Sequence, residues 1–300
     1  MLKKILFTHT DLDGAGCAIL FRLANVKLLE DEDFIVVHCP NATVDKIVSE
    51  TFKRTDIDED TEIFFTDIVA SMFTIHDISE RCKTIKIFDH HQTNMYVTVM
   101  HELNQDWVNV VPEINGMPKS GTSLFYERYI INEINSNELI KSFVYAVEEY
   151  DTFRFKQTGN MNSKYLNILL YMIGIERFEK KYTEFLRNNE TGALIDNTSI
   201  DFILAKIEAE QKFIDSLTPD SFKYCTINGR RCGLIINPAA NVGELAIQYL
   251  NKHPELDVII GVIITDHIAL EIRCISEEIN TGIEIAMPLG GGGHPKASGA

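Results

Sequence analysis

Short apolar runs and amphipathic stretches alternate along the first 90 residues. Lys3–Thr8, Phe34–Cys39, Ile63–Thr66 and Thr84–Phe88 are compact and rich in β-branched and aromatic residues. Between them, Ala15–Leu23, Val44–Phe52 and Ile75–Cys82 space their apolar residues as helices do. Strands separated by helices predict a parallel sheet with crossover helices. Residues 92–120 show neither period, and Pro112, Gly116 and Pro118 mark turns there. Helical spacing then takes over. One helix is expected from an N-cap at Thr122 to about Ile131, with others over Glu138–Tyr150, Ser163–Ile173, Glu176–Arg187 and Ile200–Leu217. Near residue 220 the pattern changes again. Phe222–Ile227 and Arg231–Ile236 flank Asn228-Gly229, a β-hairpin signature. A helix over Val242–Leu250 follows, then strands Val258–Ile264 and Ile268–Ile275 joined by a tight turn at Asp266-His267. The expected fold class is α/β. A parallel-sheet domain occupies residues 1–195, a helical linker 196–220, and a smaller C-terminal α/β domain 221–300.

Composition narrows the class. Of 300 residues, 45% are hydrophobic and 24% charged, as in ordinary globular proteins. No run approaches the about 20 apolar residues that span a bilayer. The N-terminal Met-Leu-Lys-Lys-Ile-Leu-Phe starts like a signal peptide, but the apolar stretch stops at Phe7 and Asp11 and Asp13 follow, so a cytoplasmic protein is expected. Cys17, Cys39, Cys82, Cys225, Cys232 and Cys274 form no C-x-x-C pair and read as buried reduced thiols. The net charge of −16 argues against tight binding to long duplex nucleic acid, which depends on Lys and Arg neutralising phosphates. The acid excess is uneven: residues 221–300 hold six Lys/Arg against eight Asp/Glu, a net of −2. The remaining −14 lies in residues 1–220, where bound cations would offset part of it.

Three expected strands end in metal-capable residues. The first runs into His9-Thr10-Asp11-Leu12-Asp13-Gly14, the third into Asp67 and the fourth into Asp89-His90-His91. The C-terminal edge of a parallel sheet is where ligands bind. Carboxylates with imidazoles suit Mn²⁺, and also Mg²⁺, Fe²⁺ or Co²⁺. Two such ions about 4 Å apart need a bridging ligand, and a lone carboxylate such as Asp67 can supply it. Asp11 and Asp13 would each face a different ion if their loop stays extended. Taken singly, Asp-x-Asp-Gly is a common turn and an Asp before a helix is a common cap. The joint occurrence at strand ends is what points to a metal pair.

These motifs, in this order, resemble the DHH phosphoesterase superfamily. Its triplet stands here as Asp89-His90-His91, its fourth motif as Tyr150-Asp151-Thr152-Phe153, and the GGGH signature of its associated C-terminal domain as Gly290–His294, followed by Lys296. Within the superfamily the chain is most similar to the nanoRNases, the B-type in particular. One spacing differs from many members: only Thr10 separates His9 from Asp11. The resemblance implies one metal on His9, Asp11 and Asp67, and a second on Asp13, Asp67, His90 and Asp151. It implies that Asp89 orients a histidine and that His91 sits near the scissile phosphate as hydrogen-bond donor or general acid. It also implies an active site in the cleft between the two domains, with Arg273, Gly291, Gly292, Gly293, His294 and Lys296 binding substrate. Read alone, the four glycines could be a linker, and Arg273 could be the exposed position of a strand.

The activity implied is Mn²⁺-dependent hydrolysis of short oligoribonucleotides, of about two to five residues, to 5′-mononucleotides. A small basic patch in an acidic chain suits a short single-stranded RNA or a dinucleotide better than a long polymer. Other readings stay open. They are a phosphatase or phosphodiesterase acting on 3′-phosphoadenosine 5′-phosphate or a dinucleotide, a RecJ-like single-strand exonuclease, and a non-catalytic nucleotide-binding protein. Nothing in the sequence calls for a membrane, and a homodimer is compatible with it.

Overall fold

The computed structural model describes residues 2–82, 84–264 and 268–300. The tight turn expected at Asp266-His267 lies outside them. The chain forms two compact units, residues 1–200 and 201–300.

The first unit is built on five parallel strands: β1 (Lys4–Thr8), β2 (Phe34–His38), β3 (Glu62–Thr66), β4 (Thr84–Asp89) and β5 (Val108–Val110). Their order is β2-β1-β3-β4-β5. Helices α1 (Leu12–Ala24), α2 (Val44–Arg54) and α3 (Met72–Ser79) make the crossovers. β5 was not expected. Three residues are too few to show a period, and the strand is recognisable only by its pairing from Ile87↔Val108 to Asp89↔Val110. The two-residue strands β6 (Glu113–Ile114) and β7 (Met117–Pro118) form a small hairpin over Asn115-Gly116, so Pro118 lies in a strand.

Both faces of the sheet are covered, which explains strands that are apolar at nearly every position. Ile5, Phe7, Ile63, Phe65, Ile85 and Ile87 pack on one face against Val48 and Phe52 of α2 and Ile75 and Ile78 of α3. The opposite face carries an aromatic cluster of Phe21, Phe64, Phe88, Phe125 and Tyr129. Phe125 belongs to α4 (Gly121–Arg128), which is followed by α5 (Glu138–Asp151), α6 (Phe155–Thr158), α7 (Met161–Ile173) and α8 (Ile175–Asn188). Helix α9 (Asn197–Ser216) runs through the boundary of the units.

Two helix starts differ from expectation, both because of capping. α1 begins at Leu12 rather than Ala15, because the Asp11 side chain accepts the Gly14 N–H at 3.0 Å. α4 is capped by Ser120, not Thr122. Ser120 and Ser123 exchange side-chain and backbone hydrogen bonds in a capping box, and the helix ends at Arg128.

The second unit holds α10 (Val242–Lys252) and a six-stranded sheet ordered β12-β13-β11-β10-β9-β8. Its strands are β8 (Lys223–Ile227), β9 (Arg230–Ile236), β10 (Val258–Ile264), β11 (Ile268–Arg273), β12 (Gly292–His294) and β13 (Ala297–Gly299). Asn228 and Gly229 both take positive φ, 48° and 81°, as the turn of the β8–β9 hairpin requires. The glycine tail is not a linker. β12 and β13 form a hairpin, and β13 pairs with β11.

The six cysteines are free, five of them buried; Cys225 on β8 is exposed, contrary to expectation. Among the described residues no helix is long and apolar enough to cross a membrane.

One buried cation is unforeseen. Lys86, at the middle of β4, points into the aromatic face. Its Nζ lies 2.6 Å from Glu62 Oε1 and 4.5 to 5.0 Å from the ring centres of Trp107, Tyr129 and Phe64. The ion pair and the three ring faces together offset its desolvation. Lys86→Ala is expected to destabilise the fold by about 3 kcal/mol, because it leaves a cavity and strips Glu62 of its close partner. Equilibrium urea denaturation would show the shift.

Candidate metal centre

In the order β2-β1-β3-β4-β5 the chain leaves β1 towards one side of the sheet for β2 and returns to the other side for β3. The crevice outside the carboxyl ends of β1 and β3 is therefore the switch point, where ligands bind in such sheets. His9 directly follows β1 and Asp67 directly follows β3; Asp89 ends β4, with His90 and His91 after it. Asp151, more than 60 positions further along the chain, is the last residue of α5.

The structure brings these residues together in overlapping sets. One is Asp67, Asp89, His90 and His91; two others are His9, Asp11 and Asp67, and Asp13, His90 and Asp151; in each, the candidate ligand atoms lie within 4.8 Å of one another. Asp67 reaches both of the latter. Its Oδ2 is 3.8 Å from His9 Nδ1, and its Oδ1 is 3.2 Å from His90 Nε2. His90 Nε2 also lies 3.5 Å from Asp151 Oδ2 and 3.7 Å from Asp13 Oδ2. Asp11 and Asp13 do not diverge along an extended loop, as the sequence suggested. Asp11 is the cap of α1 and Asp13 lies in its first turn, and the turn of the helix separates them.

Each acid has a different environment. Asp13 accepts two backbone N–H groups from the start of α4, Gly121 at 2.5 Å and Thr122 at 2.9 Å, and Thr122 Oγ1 donates to the Asp13 carbonyl at 2.7 Å. A helix N-terminus suits a carboxylate. Asp89 is fully buried and accepts from the His90 N–H, from His91 Nδ1 at 2.8 Å and from the Asn94 amide. The bond to Nδ1 ties the His91 ring to Asp89. Burial raises the Asp89 carboxyl, but the charge and hydrogen bond of His91 outweigh this and hold it far below the carboxylate range. Asp11 is likewise held low despite burial, chiefly by His9. Asp67 moves the other way. Burial, then the charges of Asp13, Asp11 and Asp151, push it well above the carboxylate range. Asp151 is raised by burial and by Asp13 and Asp11, and it also sits at a helix C-terminus, the wrong end for an acid.

The donor set fits divalent cations. Asp67 Oδ2, Asp151 Oδ2 and His9 Nδ1 are buried with no hydrogen-bond partner. His9 Nδ1 is 2.9 Å from Asp11 Oδ2, yet without the alignment of a hydrogen bond. Buried acceptors of this kind are costly unless something cationic answers them. Carboxylates with imidazoles are a donor set for divalent metal ions.

Sequence reasoning missed the groups that hold the acids. Gly121 is one. A Cβ there would lie 2.7 Å from the Asp67 Cβ and 2.9 Å from its Cα, while Asp67 itself takes a positive φ of 57°. Ser120-Gly121-Thr122 falls in a stretch without periodicity, and only the fold shows that it meets Asp13 and Asp67. Asn94 was missed for the same reason.

In the second unit, Arg273 Nη1 donates to the carbonyls of Ile272 and Ser298, and Nη2 lies 3.6 Å from Glu271. Lys296 pairs with Glu277. His294 ends β12. Gly291 and Gly293 must be glycine: a Cβ at either would strike the backbone of the 297–300 segment.

No family model matches the chain. Two solved structures share its fold. One is the pGpG-specific phosphodiesterase PggH from Vibrio cholerae, with a TM-score of 0.54 and 15% identity over 99% of this chain and 92% of that one. The other is an exonuclease RecJ bound to manganese, with a TM-score of 0.56 and 11% identity over 99% of this chain and 84% of that one. The chain shares the fold of these two proteins, and its motifs stand in the order found in the DHH phosphoesterases, which it resembles. Among curated proteins it is similar to oligoribonuclease NrnB of Bacillus subtilis strain 168, with 26% identity over 299 residues, 98% of this chain and 71% of NrnB.

Two outcomes are expected. Asp67→Asn removes a carboxylate whose folded-state affinity for a proton is raised. Such a group costs stability once pH rises above the ordinary carboxylate range. In EDTA at neutral pH the variant should therefore melt higher than the wild type, with the gap closing in acid, and Mn²⁺ should stabilise it less. Gly121→Ala should displace Asp67 and lower phosphodiesterase turnover about 100-fold, measured at saturating Mn²⁺.

Proposed function

We propose that the chain is a Mn²⁺-dependent phosphodiesterase that releases 5′-mononucleotides from oligoribonucleotides of about two to five residues. The observation that carries this reading is the pair of ligand sets joined by Asp67. His9, Asp11 and Asp67 would hold one ion, and Asp13, Asp67, His90 and Asp151 the other. When bound, two such ions supply a water that ionises near neutral pH and positive charge for the phosphoryl oxygens. The chain's own residues do the rest. Asp89 accepts from Nδ1 of His91, which fixes the ring, and in the doubly protonated ring Nε2 would serve as hydrogen-bond donor or acid at the leaving oxygen. The Gly121 and Thr122 amides hold the Asp13 carboxylate in place. Arg273, His294, Lys296 and the backbone of Gly291–Gly293 are assigned to the substrate's phosphates and sugars, a role that requires Arg273 to exchange its carbonyl partners for phosphate oxygens.

Similarity to an oligoribonuclease along nearly the whole chain supports RNA as substrate, and the net charge of −16 supports a short one. A dinucleotide phosphodiesterase is the second reading, favoured by the fold shared with a pGpG-specific enzyme. Purified protein with Mn²⁺ should convert a 5′-labelled RNA 5-mer to mononucleotides, and Asp67→Ala should lower the rate at least about 10³-fold. An unchanged rate in Asp67→Ala would overturn the assignment of the metal pair. Equal rates on 24-mers and 3-mers would point to a processive exonuclease. Activity confined to pGpG or to 3′-phosphoadenosine 5′-phosphate would replace the substrate assignment.

A further inference from the structure

His38, the last residue of β2, touches the backbone of a candidate ligand. Its Nδ1 is 2.8 Å from the carbonyl oxygen of His9. A carbonyl only accepts, so Nδ1 carries the hydrogen and donates it. On the other side of the ring, Nε2 lies 2.8 Å from Oε1 of Glu179 on α8, an ion-pair distance without the alignment of a hydrogen bond. Glu179 is buried, and its second oxygen accepts from Arg22 Nη1 of α1 at 2.8 Å. Arg22 in turn grips Glu30 through Nε and Nη2. A line of contacts thus runs from Glu30 through Arg22, Glu179 and His38 to the peptide that joins His9 to Thr10.

That peptide has little slack. Only Thr10 lies between His9 and Asp11, and Asp11 is already fixed as the cap of α1. The His9 carbonyl is also crowded by Gly14, where an added Cβ would come within 2.2 Å of it. Gly14 and His38 both bear on this peptide, and its rotation bears on the direction in which the His9 imidazole leaves the chain. A buried Glu set against Arg22 and His38 is a poor device for stability alone, since apolar packing would serve as well. Its position behind a ligand's own carbonyl gives it another use.

We propose that His38, held by Glu179 and Arg22, is a positioning residue that aims His9 at the cation shared with Asp11 and Asp67. This rests on the metal reading above. Side chains behind a ligand commonly govern its affinity for metal.

Two near-isosteres separate the functions of the ring. In His38→Asn the amide nitrogen stands where Nδ1 was and still reaches the His9 carbonyl. In His38→Gln the amide nitrogen stands where Nε2 was and keeps only Glu179. Mn²⁺ binding to the metal-free full-length protein, followed by titration calorimetry, is the readout. His38→Asn should bind within about threefold of wild type, and His38→Gln about 10- to 100-fold more weakly, with kcat reduced and KM for the RNA 5-mer unchanged. The reverse ranking, or equal affinities, overturns the proposal and leaves His38 as a partner for Glu179 only. Glu179→Met gives an independent check. It should weaken Mn²⁺ binding several-fold although no candidate ligand is altered, and unchanged affinity in the folded variant counts against the proposal. Failure of the wild type to bind Mn²⁺ would instead bring down the metal reading on which it stands.

Discussion

Like charges forced together are the constraint around which the first unit is organised. Asp11, Asp13, Asp67 and Asp151 converge at the end of one sheet, Asp13 and Asp67 fully buried there and the other two partly so, and burial strengthens their repulsion. The protein meets it unevenly. Two backbone N–H groups answer Asp13, a histidine answers Asp11, and His91 with Asn94 answers the neighbouring Asp89. Asp67 and Asp151 keep buried oxygens with no partner. The fold therefore carries an unpaid charge debt at one defined point, and divalent cations are the natural counterpart.

The sheet topology decides where that point lies. Because β2 and β3 flank β1, the connections after β1 and β3 run to opposite sides, which puts the residues after them at the switch point of the sheet. The helical half then delivers what the edge lacks. α4 brings its N-terminal amides to Asp13, and α5 ends on Asp151. Two non-glycine residues at this junction, Asp67 and Phe153, are held at positive φ. That strain is local, and the surrounding contacts sustain it.

Much of this was readable beforehand. The four longer strands and most helices announced themselves by period, to within a few residues, and the candidate acids and histidines stood at strand ends. What stayed hidden has a common physical cause. β5 is three residues long and defined by its partner. The Ser120 cap competes with the equally plausible Thr122 two positions on. Lys86 breaks an apolar strand in a way that only the surrounding rings explain. Gly121 and His38 meet their partners through backbone groups across long sequence separations, Asn94 reaches Asp89 through its side chain from an irregular stretch, and no local pattern marks any of them. The extended loop imagined between Asp11 and Asp13 failed because capping by Asp11 starts the helix at once. Residue type shows which side chains can do the chemistry, but the groups that hold them are selected by tertiary contact.

The bonds from Gly121 and Thr122 to Asp13 have a consequence for biosynthesis. They join residues 108 and 109 positions apart. During translation the acids of the first turn of α1 emerge long before the amides that hold them, and Asp151 emerges later still. No segment made early contains both ligand sets, so a nascent chain has nothing with which to capture a pair of ions. The centre comes into being as a late, long-range event of folding, once α4 and α5 have docked on the sheet. Loading with metal then becomes a report that the whole first unit is complete.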